Sequence, residues 1–231
     1  MLAPAGVRMG ADETPRGGWS MGSLGGSTRI GTDVLIVPDD IDRTERQLAS
    51  GELACPDCRG ELRPWGHARI RRLRTRHATR QLRPRRACCR GCGRTHVLLP
   101  GVCLLRRADA VEVIGEAVVA NVAGQGHRPI AARLGRPEAT VRGWLRRFRA
   151  RAAQTANRAV AWIYRLDVTA FRIEPARNDT PAAFALEALG RAVMAAERRL
   201  GVRPGPPWQG VSSLCSGRLL SHTSCPYPQM W

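Results

Sequence analysis

The chain has 231 residues and a mass of 25.3 kDa, which allows one or two small domains and excludes a large catalytic core. Its formal net charge is +18 and all 37 basic residues are arginine, so it should attract polyanions and suit phosphates and guanine edges. The first forty residues lack a charged start before an apolar run, and Ala117 to Ala123 is too short to span a bilayer. We therefore expect a cytoplasmic, nucleoid-associated protein without a membrane partner.

The N-terminal part of the chain is expected to carry no function. Residues 1–36 are rich in Gly, Ser and Pro, and we expect them to be disordered. A helix is predicted next, because Asp39 or Asp40 can cap its free backbone N–H groups and Gly51 can end it. This helix is expected to pack on a small zinc module, so that residues 37–105 form one domain.

Two C-x-x-C units form the strongest chemical pattern in the chain. Cys55 and Cys58 make the first and Cys89 and Cys92 the second, each with two intervening residues. That spacing lets both thiolates of a unit reach one tetrahedral Zn²⁺ ion, while nearby backbone N–H groups stabilise the sulfurs. In a reducing cytosol, paired units of this kind hold a metal more often than they form disulfides. A zinc ribbon with Zn²⁺ as its cofactor is predicted, together with local unfolding when the metal is removed.

Other ligands and other uses of these cysteines are weaker alternatives. Cys88 stands directly before Cys89, but the two-residue spacing favours Cys89. A redox C-x-x-C unit favours a βαβ context, which is missing, and a zinc deaminase needs a His-x-Glu unit, which no histidine provides. The histidines of the module are alternative candidate ligands: His67, His77 and His96. For His96, packing under the ribbon is the simpler role.

The segment from Leu62 to Ala108 is rich in arginine and contains no acidic residue. A hairpin is predicted in it, with strands at 70–76 and 80–86, and Pro84 marks an edge or an interruption of the second strand. A strand pair this basic repels itself without an anionic partner, so we predict contact with DNA phosphates, a solvated face being the alternative. The predicted contacts are Arg71, Arg72, Arg74, Arg85 and Arg86.

Residues 106–152 are predicted to form a helix-turn-helix domain of three helices. Asp109 and Glu112 resemble a capping box that opens the first helix. The second helix places apolar side chains on one face, and Gly135 is expected to adopt the left-handed conformation of the turn after it. The third helix repeats apolar residues at i, i+3, i+4 and i+7, which is the period of a half-buried helix: Val141, Trp144, Leu145 and Phe148.

The outward face of this third helix is predicted to contact DNA. It carries arginines away from the apolar side, where they can meet a groove edge or phosphates. An ordinary helical hairpin in an all-α core is the alternative. The predicted contacts of the domain are Arg136, Ala139, Thr140, Arg142, Gly143, Arg146 and Arg147.

The C-terminal part is predicted to be a helical region at 153–201 followed by a flexible tail at 202–231. Thr180 caps the helix and Gly201 ends it, and its amphipathic face packs on the domain or on a second copy of the chain. Cys215, His222 and Cys225 have a spacing that matches no zinc unit. The predicted fold class is therefore mainly α with a small β zinc ribbon, a three-helix helix-turn-helix unit and a C-terminal helix.

The run from Asp39 to Phe148 resembles a family of bacterial proteins, mostly actinobacterial, with a zinc ribbon before a helix-turn-helix. The resemblance is carried by CPDCRGELRPWGHAR, RRACCRGCGRTHVLLP and GHRPIAARLGRPEATVRGWLRRF. The ribbon is also similar to the N-terminal DNA-binding module of insertion-sequence transposases, whose Thr-aromatic-Leu-Pro-like end corresponds to 95–100 here, with His96 at the aromatic place. The resemblance implies zinc on the four cysteines of the C-x-x-C units and DNA on the second helix of the helix-turn-helix pair.

One departure from those transposases shapes the functional expectation. They continue into a nuclease domain with three separated carboxylates, whereas the chain after residue 151 is too short for such a fold. We therefore expect a non-enzymatic, zinc-containing, sequence-specific protein for double-stranded DNA, accessory to or derived from a transposition system. Its further partner would be a transposase or a second copy of the chain. The alternatives are a host transcription regulator that binds as a dimer and an RNA-binding or assembly module.

Overall fold

The computed structural model of the chain describes residues 33–167, 180–200 and 206–221. The first half of this part is rich in strands, with one helix near its start. Its elements are β1 (Asp33–Val37), α1 (Ile41–Ala49), β2 (Leu62–His67), β3 (Arg71–Arg74), β4 (Thr79–Leu82), β5 (Arg85–Cys89) and β6 (Thr95–Pro100). The second half is helical: α2 (Val111–Val122), α3 (His127–Leu134), α4 (Glu138–Arg149), α5 (Ala152–Leu166), α6 (Pro181–Leu200) and α7 (Pro207–Leu214).

The strands form one mixed sheet and one separate hairpin. The sheet has the order β1-β6-β5-β2, with β1 parallel to β6 and the other neighbours antiparallel, and β3 pairs with β4 in the hairpin. The predicted class, mainly α with only a small β ribbon, is therefore wrong. Its error lies in the short apolar runs of β1 and β6, whose periodicity does not distinguish a buried strand from other buried structure.

The prediction for the N-terminal part is wrong at residues 33–36, whereas the predicted helix is confirmed as α1. Residues 33–36, assigned to a disordered segment, lie in β1, while residues 1–32 are outside the described residues. Asp40 caps α1, since its carboxylate accepts a hydrogen bond from the Arg43 backbone N–H at 2.9 Å. Gly51 follows the helix with a left-handed φ of 73°, as expected of a residue that ends it.

The predicted basic hairpin is shorter than expected. Its strands are β3 and β4, and its turn lies at 75–78. Pro84 stands between β4 and β5, so that Arg85 and Arg86 belong to the mixed sheet and not to the hairpin. A proline cannot donate a ladder hydrogen bond, which explains the interruption at this point.

The three helices α2, α3 and α4 lie where the sequence predicts them. Gly135 ends α3 in the left-handed conformation, with φ 61°, and α4 buries the four apolar side chains of its predicted stripe. The predicted capping box of α2 is wrong, because its N-cap is Ala110 and has no side-chain cap hydrogen bond. Asp109 is buried instead and forms salt bridges with Arg74 and Arg136.

The C-terminal region contains more structure than predicted. Thr180 caps α6 as expected, since its hydroxyl oxygen accepts from the Ala183 backbone N–H at 3.2 Å. The predicted flexible tail is wrong for 206–221, where α7 forms and Val211, Leu219 and Leu220 are buried. The ends of that tail, with His222 and Cys225, lie outside the described residues. No helix in the described part of the chain is long and apolar enough to cross a membrane.

Two hydrophobic cores divide the described residues. The smaller core lies in the mixed sheet and includes Cys55, Leu62, Cys89 and Leu98. The larger core is built mainly by the helices, yet it also includes Leu73 of β3 and Leu82 of β4. The hairpin therefore shares a core with the helices, and Ile36 of β1 and Leu99 of β6 also lie in this core.

Candidate metal centre and basic surface

The two C-x-x-C units fold into turns of the same kind. In the first, the Arg59 backbone N–H donates to the Cys55 carbonyl at 2.9 Å, and Arg59 has a left-handed φ of 63°. In the second, the Gly93 N–H donates to the Cys89 carbonyl at 3.1 Å, and φ of Gly93 is 71°. Each turn spans five residues and is closed by this hydrogen bond, which brings the two thiols of a unit to the same side.

The four predicted ligands come together in one cluster. The sulfurs of Cys55, Cys58, Cys89 and Cys92 all lie within 4.8 Å of one another. The Cys55–Cys92 sulfur distance is 3.7 Å and the Cys58–Cys89 distance is 3.3 Å. A tetrahedral zinc with Zn–S bonds of about 2.3 Å requires sulfurs about 3.8 Å apart, close to this spacing. The cluster is compatible with a bound metal such as zinc.

Cys88, His67 and His77 belong to no metal-compatible group of the described residues, whereas His96 forms a second such group with Cys55 and Asp57. Cys88 is buried, and its sulfur is directed to the carbonyl oxygen of Gly93 at 3.5 Å. His67 and His77 are exposed. His96 is fully buried on β6, with its Nε2 3.4 Å from the Cys55 sulfur. That position lets His96 donate a hydrogen bond to the Cys55 thiolate, a role that the sequence did not indicate.

The thiols of the cluster differ in their acidity before any metal binds. The backbone N–H of Cys92 donates to the Cys89 sulfur at 3.5 Å and that of Gly91 at 3.3 Å, and mainly the first lowers the pKa of Cys89 to about 7. Burial raises the pKa of Cys55 to about 12. A metal ion that binds all four cysteines as thiolates must therefore displace protons, above all from Cys55.

Gly60 allows the two units to approach each other closely. A Cβ atom at this position would lie 3.1 Å from the Cys89 sulfur and 3.3 Å from the Cys58 sulfur. The absence of a side chain at Gly60 therefore leaves room for these two sulfurs.

Several of the predicted DNA contacts are engaged inside the molecule. Arg136 donates to Asp109 at 2.7 Å and to the Thr75 carbonyl at 2.7 Å. Arg74 donates to the same carboxylate at 2.6 Å, and Arg71 donates to the carbonyl oxygens of Leu104 and Arg107. These arginines hold parts of the chain together.

Arg85 and Arg86 are also engaged. The Arg85 guanidinium lies 3.0 Å from the Glu45 carboxylate, and Arg86 donates to the Thr95 hydroxyl at 3.2 Å. The arginines of the basic segment therefore pair with acidic residues that lie outside this segment in the sequence. This corrects the expectation that the segment repels itself without an anionic ligand. The other such pairs join Arg80 to Asp39, Arg90 to Glu61 and Arg94 to Asp57.

The remaining predicted contacts lie on the surface of α4 and of the hairpin. Ala139, Arg142 and Arg146 are exposed on the face of α4 opposite its buried stripe, and Arg72 is exposed on β3. Thr140, Gly143 and Arg147 are half-buried at the margin of this face, and Arg147 donates to the Gly143 carbonyl at 3.1 Å. We call Ala139, Thr140, Arg142, Gly143 and Arg146 the outer face of α4.

Comparison with protein-family models, with curated proteins and with solved structures gives no match to this chain. The resemblance to zinc-ribbon and transposase modules therefore stays a prediction from the quoted strings.

Proposed function

We propose that this protein is a non-catalytic, zinc-containing protein that binds double-stranded DNA at a specific sequence. The main observation behind this proposal is that α4 has one buried apolar face and one exposed basic face. Its apolar stripe is buried against α2 and α3, while Arg142 and Arg146 stand exposed one turn apart on the outer face. Two guanidinium groups at this spacing can reach successive guanine edges or phosphates from a single helix.

The connection before α4 supports the same function. Helix α3 ends at Gly135, and α4 begins at Glu138 after a turn that includes Pro137. In a helix-turn-helix, the second helix enters the major groove and its N-terminal residues contact base edges. Ala139, Thr140 and Gly143 have short side chains, so the backbone of α4 can approach the bases closely.

The four cysteines supply the second part of the proposal. We assign zinc as the metal, because four thiolates in a tetrahedral arrangement are a set that Zn²⁺ prefers in structural sites. All four positions of such a site are taken by protein, which leaves none for substrate or water. The zinc therefore stabilises the mixed sheet in this proposal and performs no reaction.

The finer context rests on the resemblance to transposase modules. We propose that the protein assists, or derives from, a transposition system and acts with a transposase. A host regulator that binds as a homodimer and an RNA-binding or assembly module are the competing functions. These three differ in the nucleic acid they select and in oligomeric state.

Selection from a random duplex pool tests the proposal. We expect one enriched duplex motif from a preparation that contains about one zinc per chain. Inverted half-sites about one DNA turn apart, together with a dimer in solution, would favour the host regulator. Stronger competition by structured RNA than by duplex at physiological salt would replace DNA by RNA as the ligand. The absence of any enriched motif would overturn sequence-specific binding.

A further inference from the structure

We propose that the tip of the β3–β4 hairpin is a second DNA contact, in which Arg76 enters the minor groove beside the site occupied by α4. This inference rests on the proposed function and extends it to a part of the chain with no assigned role. The tip consists of residues 75–78, between the two strands. It contains Arg76 and the exposed His77, and no acidic residue.

The hairpin packs in the same core as the helices. Leu73 and Leu82 are buried in the core that also contains Ile130 and Leu134 of α3 and Val141 of α4. A hairpin of two short strands is unstable in isolation and needs such packing. Its position is therefore fixed relative to α3 and α4 by shared burial of apolar side chains.

A set of polar contacts around Asp109 also fixes the hairpin. This carboxylate is buried and accepts from Arg74 of β3 and from Arg136 of the α3–α4 turn, at 2.6 and 2.7 Å. The β3 backbone is also joined to the start of α2, since the Arg74 N–H donates to Ala108 at 2.7 Å and the Ala110 N–H donates to Arg74 at 3.0 Å. The buried carboxylate of Asp109 thus links the hairpin, the start of α2 and the α3–α4 turn.

These contacts place the tip of the hairpin next to the start of α4. Arg136 also donates to the carbonyl oxygen of Thr75, the first residue of the tip, at 2.7 Å. Arg136 stands two residues before α4, so the tip lies beside the N-terminal end of that helix. In a helix-turn-helix this is the end nearest the bases, and a neighbouring projection meets the flanking DNA.

The Arg76 side chain at the tip has an unsatisfied guanidinium nitrogen. Its Nη1 atom is shielded from solvent and has no hydrogen-bond partner within the described residues. An unsatisfied guanidinium nitrogen is costly, and the cost is relieved when the side chain turns outward to an acceptor. The tip itself is ordered, because the Thr75 N–H donates to the Ala78 carbonyl at 2.8 Å and the Ala78 N–H donates to the Thr75 hydroxyl at 3.1 Å.

The DNA minor groove is the binding site that suits an arginine on a narrow hairpin tip. A single arginine on a narrow projection fits the narrow minor groove of A·T-rich DNA, whose negative potential attracts guanidinium groups. Arg71 and Arg74 are committed to internal contacts, so they cannot serve as the main DNA contacts of the hairpin. The tip is therefore expected to select A·T pairs at a fixed distance from the motif read by α4.

Parallel selections from a random duplex pool with the full-length zinc-loaded protein test this inference. The variants are Arg76→Ala and the control Arg83→Ala, which removes the same charge from the opposite end of the hairpin, about 13 Å away along four strand residues. We expect an A·T-rich flank next to the main motif for the wild type and for Arg83→Ala. Arg76→Ala should keep the main motif and lose the flank, with a salt dependence of log affinity shallower by about 0.9.

The outcomes separate this inference from the proposed function. A main motif without an A·T-rich flank in the wild type, or a flank that Arg76→Ala retains, would overturn the role of the tip and leave the function of α4 intact. A wild-type protein that selects no motif would overturn both. Loss of the flank in Arg83→Ala to the same extent as in Arg76→Ala would reduce the effect to net charge and also contradict the inference.

Discussion

At the scale of single residues, the four-cysteine cluster includes only one of two cysteines that are adjacent in the sequence. Cys88 and Cys89 are adjacent, yet only the Cys89 sulfur belongs to the four-cysteine cluster. Successive side chains of a strand point to opposite faces, and both residues lie in β5. The choice between them follows from this alternation, and the C-x-x-C spacing predicts the same choice from sequence.

Cys58→Ser and Cys88→Ser therefore make a matched pair. We expect Cys58→Ser to lower zinc affinity by at least 10-fold, because a hydroxyl replaces one of four thiolate ligands. Cys88→Ser should retain about one zinc per chain. Zinc content after dialysis against a competing chelator measures both, and equal losses in the two variants would contradict the assignment of the ligands.

A second prediction at this scale concerns Glu112 in α2. Burial raises the pKa of its carboxyl, which accepts a hydrogen bond from the Gln209 side chain at 3.1 Å. The folded state then holds the Glu112 proton more tightly than the unfolded state does. This contribution makes stability fall as pH rises from the ordinary pKa of 4.5 through the raised folded value, and it is constant above that value.

Glu112→Gln should remove this contribution while it keeps an acceptor for Gln209. The difference in free energy of unfolding between the variant and the wild type should grow in favour of the variant as pH rises through that window. Urea denaturation of both proteins across the pH range measures this difference, and loss of metal at low pH affects both equally. A difference that is independent of pH would contradict the role assigned to Glu112.

At the scale of secondary-structure elements, Asp109 connects the hairpin to the helices. Its side chain is 3% exposed and that of its partner Arg136 is 12% exposed. Replacement of Asp109 by Ala leaves a buried guanidinium without its carboxylate, and we expect a loss of about 3–5 kcal/mol in the free energy of unfolding. Denaturant titration measures this loss.

Glu187→Ala provides the control for this prediction. Glu187 forms a more exposed pair with Arg191 one turn away on α6, and its loss should cost no more than about 0.5 kcal/mol. Similar costs for the two variants would mean that Asp109 does not hold the elements together.

The element scale also shows what the sequence can and cannot predict. Helices α3 and α4 were predictable because their apolar spacing and Gly135 are local features. The parallel pairing of β1 with β6 joins residues more than 60 positions apart, and no local pattern indicates it. Asp109 fits a capping box locally, yet two arginines distant in sequence bind its carboxylate instead, and their approach depends on the tertiary fold.

At the scale of the whole molecule, the two cores predict a graded response to metal removal. Cys55 and Cys89 belong to the smaller core of the mixed sheet, whereas α2, α3 and α4 pack in the larger core. A chelator should therefore increase amide hydrogen exchange in β2 and β5 much more than in these helices. Uniform exchange throughout the described part of the chain would contradict this division.

We propose distinct tasks for the parts of the molecule: a metal on the four cysteines would stabilise the sheet, the buried carboxylate of Asp109 positions the hairpin, and the outer face of α4 would select the DNA sequence. The clustered cysteines could be inferred from sequence because C-x-x-C units are local. The internal use of Arg136 and Arg74 could not, since an arginine count does not distinguish a structural guanidinium from one that faces a ligand.

We propose above all that the outer face of α4 reads a DNA sequence, and the affinity ratio between the selected duplex and a scrambled one is the direct test of this claim. The ratio is measured for the wild type, for the double variant Arg142→Ala/Arg146→Ala and for Arg199→Ala, which removes an exposed arginine of α6. We expect the double variant to lose about 2–6 kcal/mol of discrimination, from about 1–3 kcal/mol per base contact. Arg199→Ala should keep the wild-type ratio. If the double variant lost equal affinity for both duplexes and so kept the wild-type ratio, the claim would be contradicted.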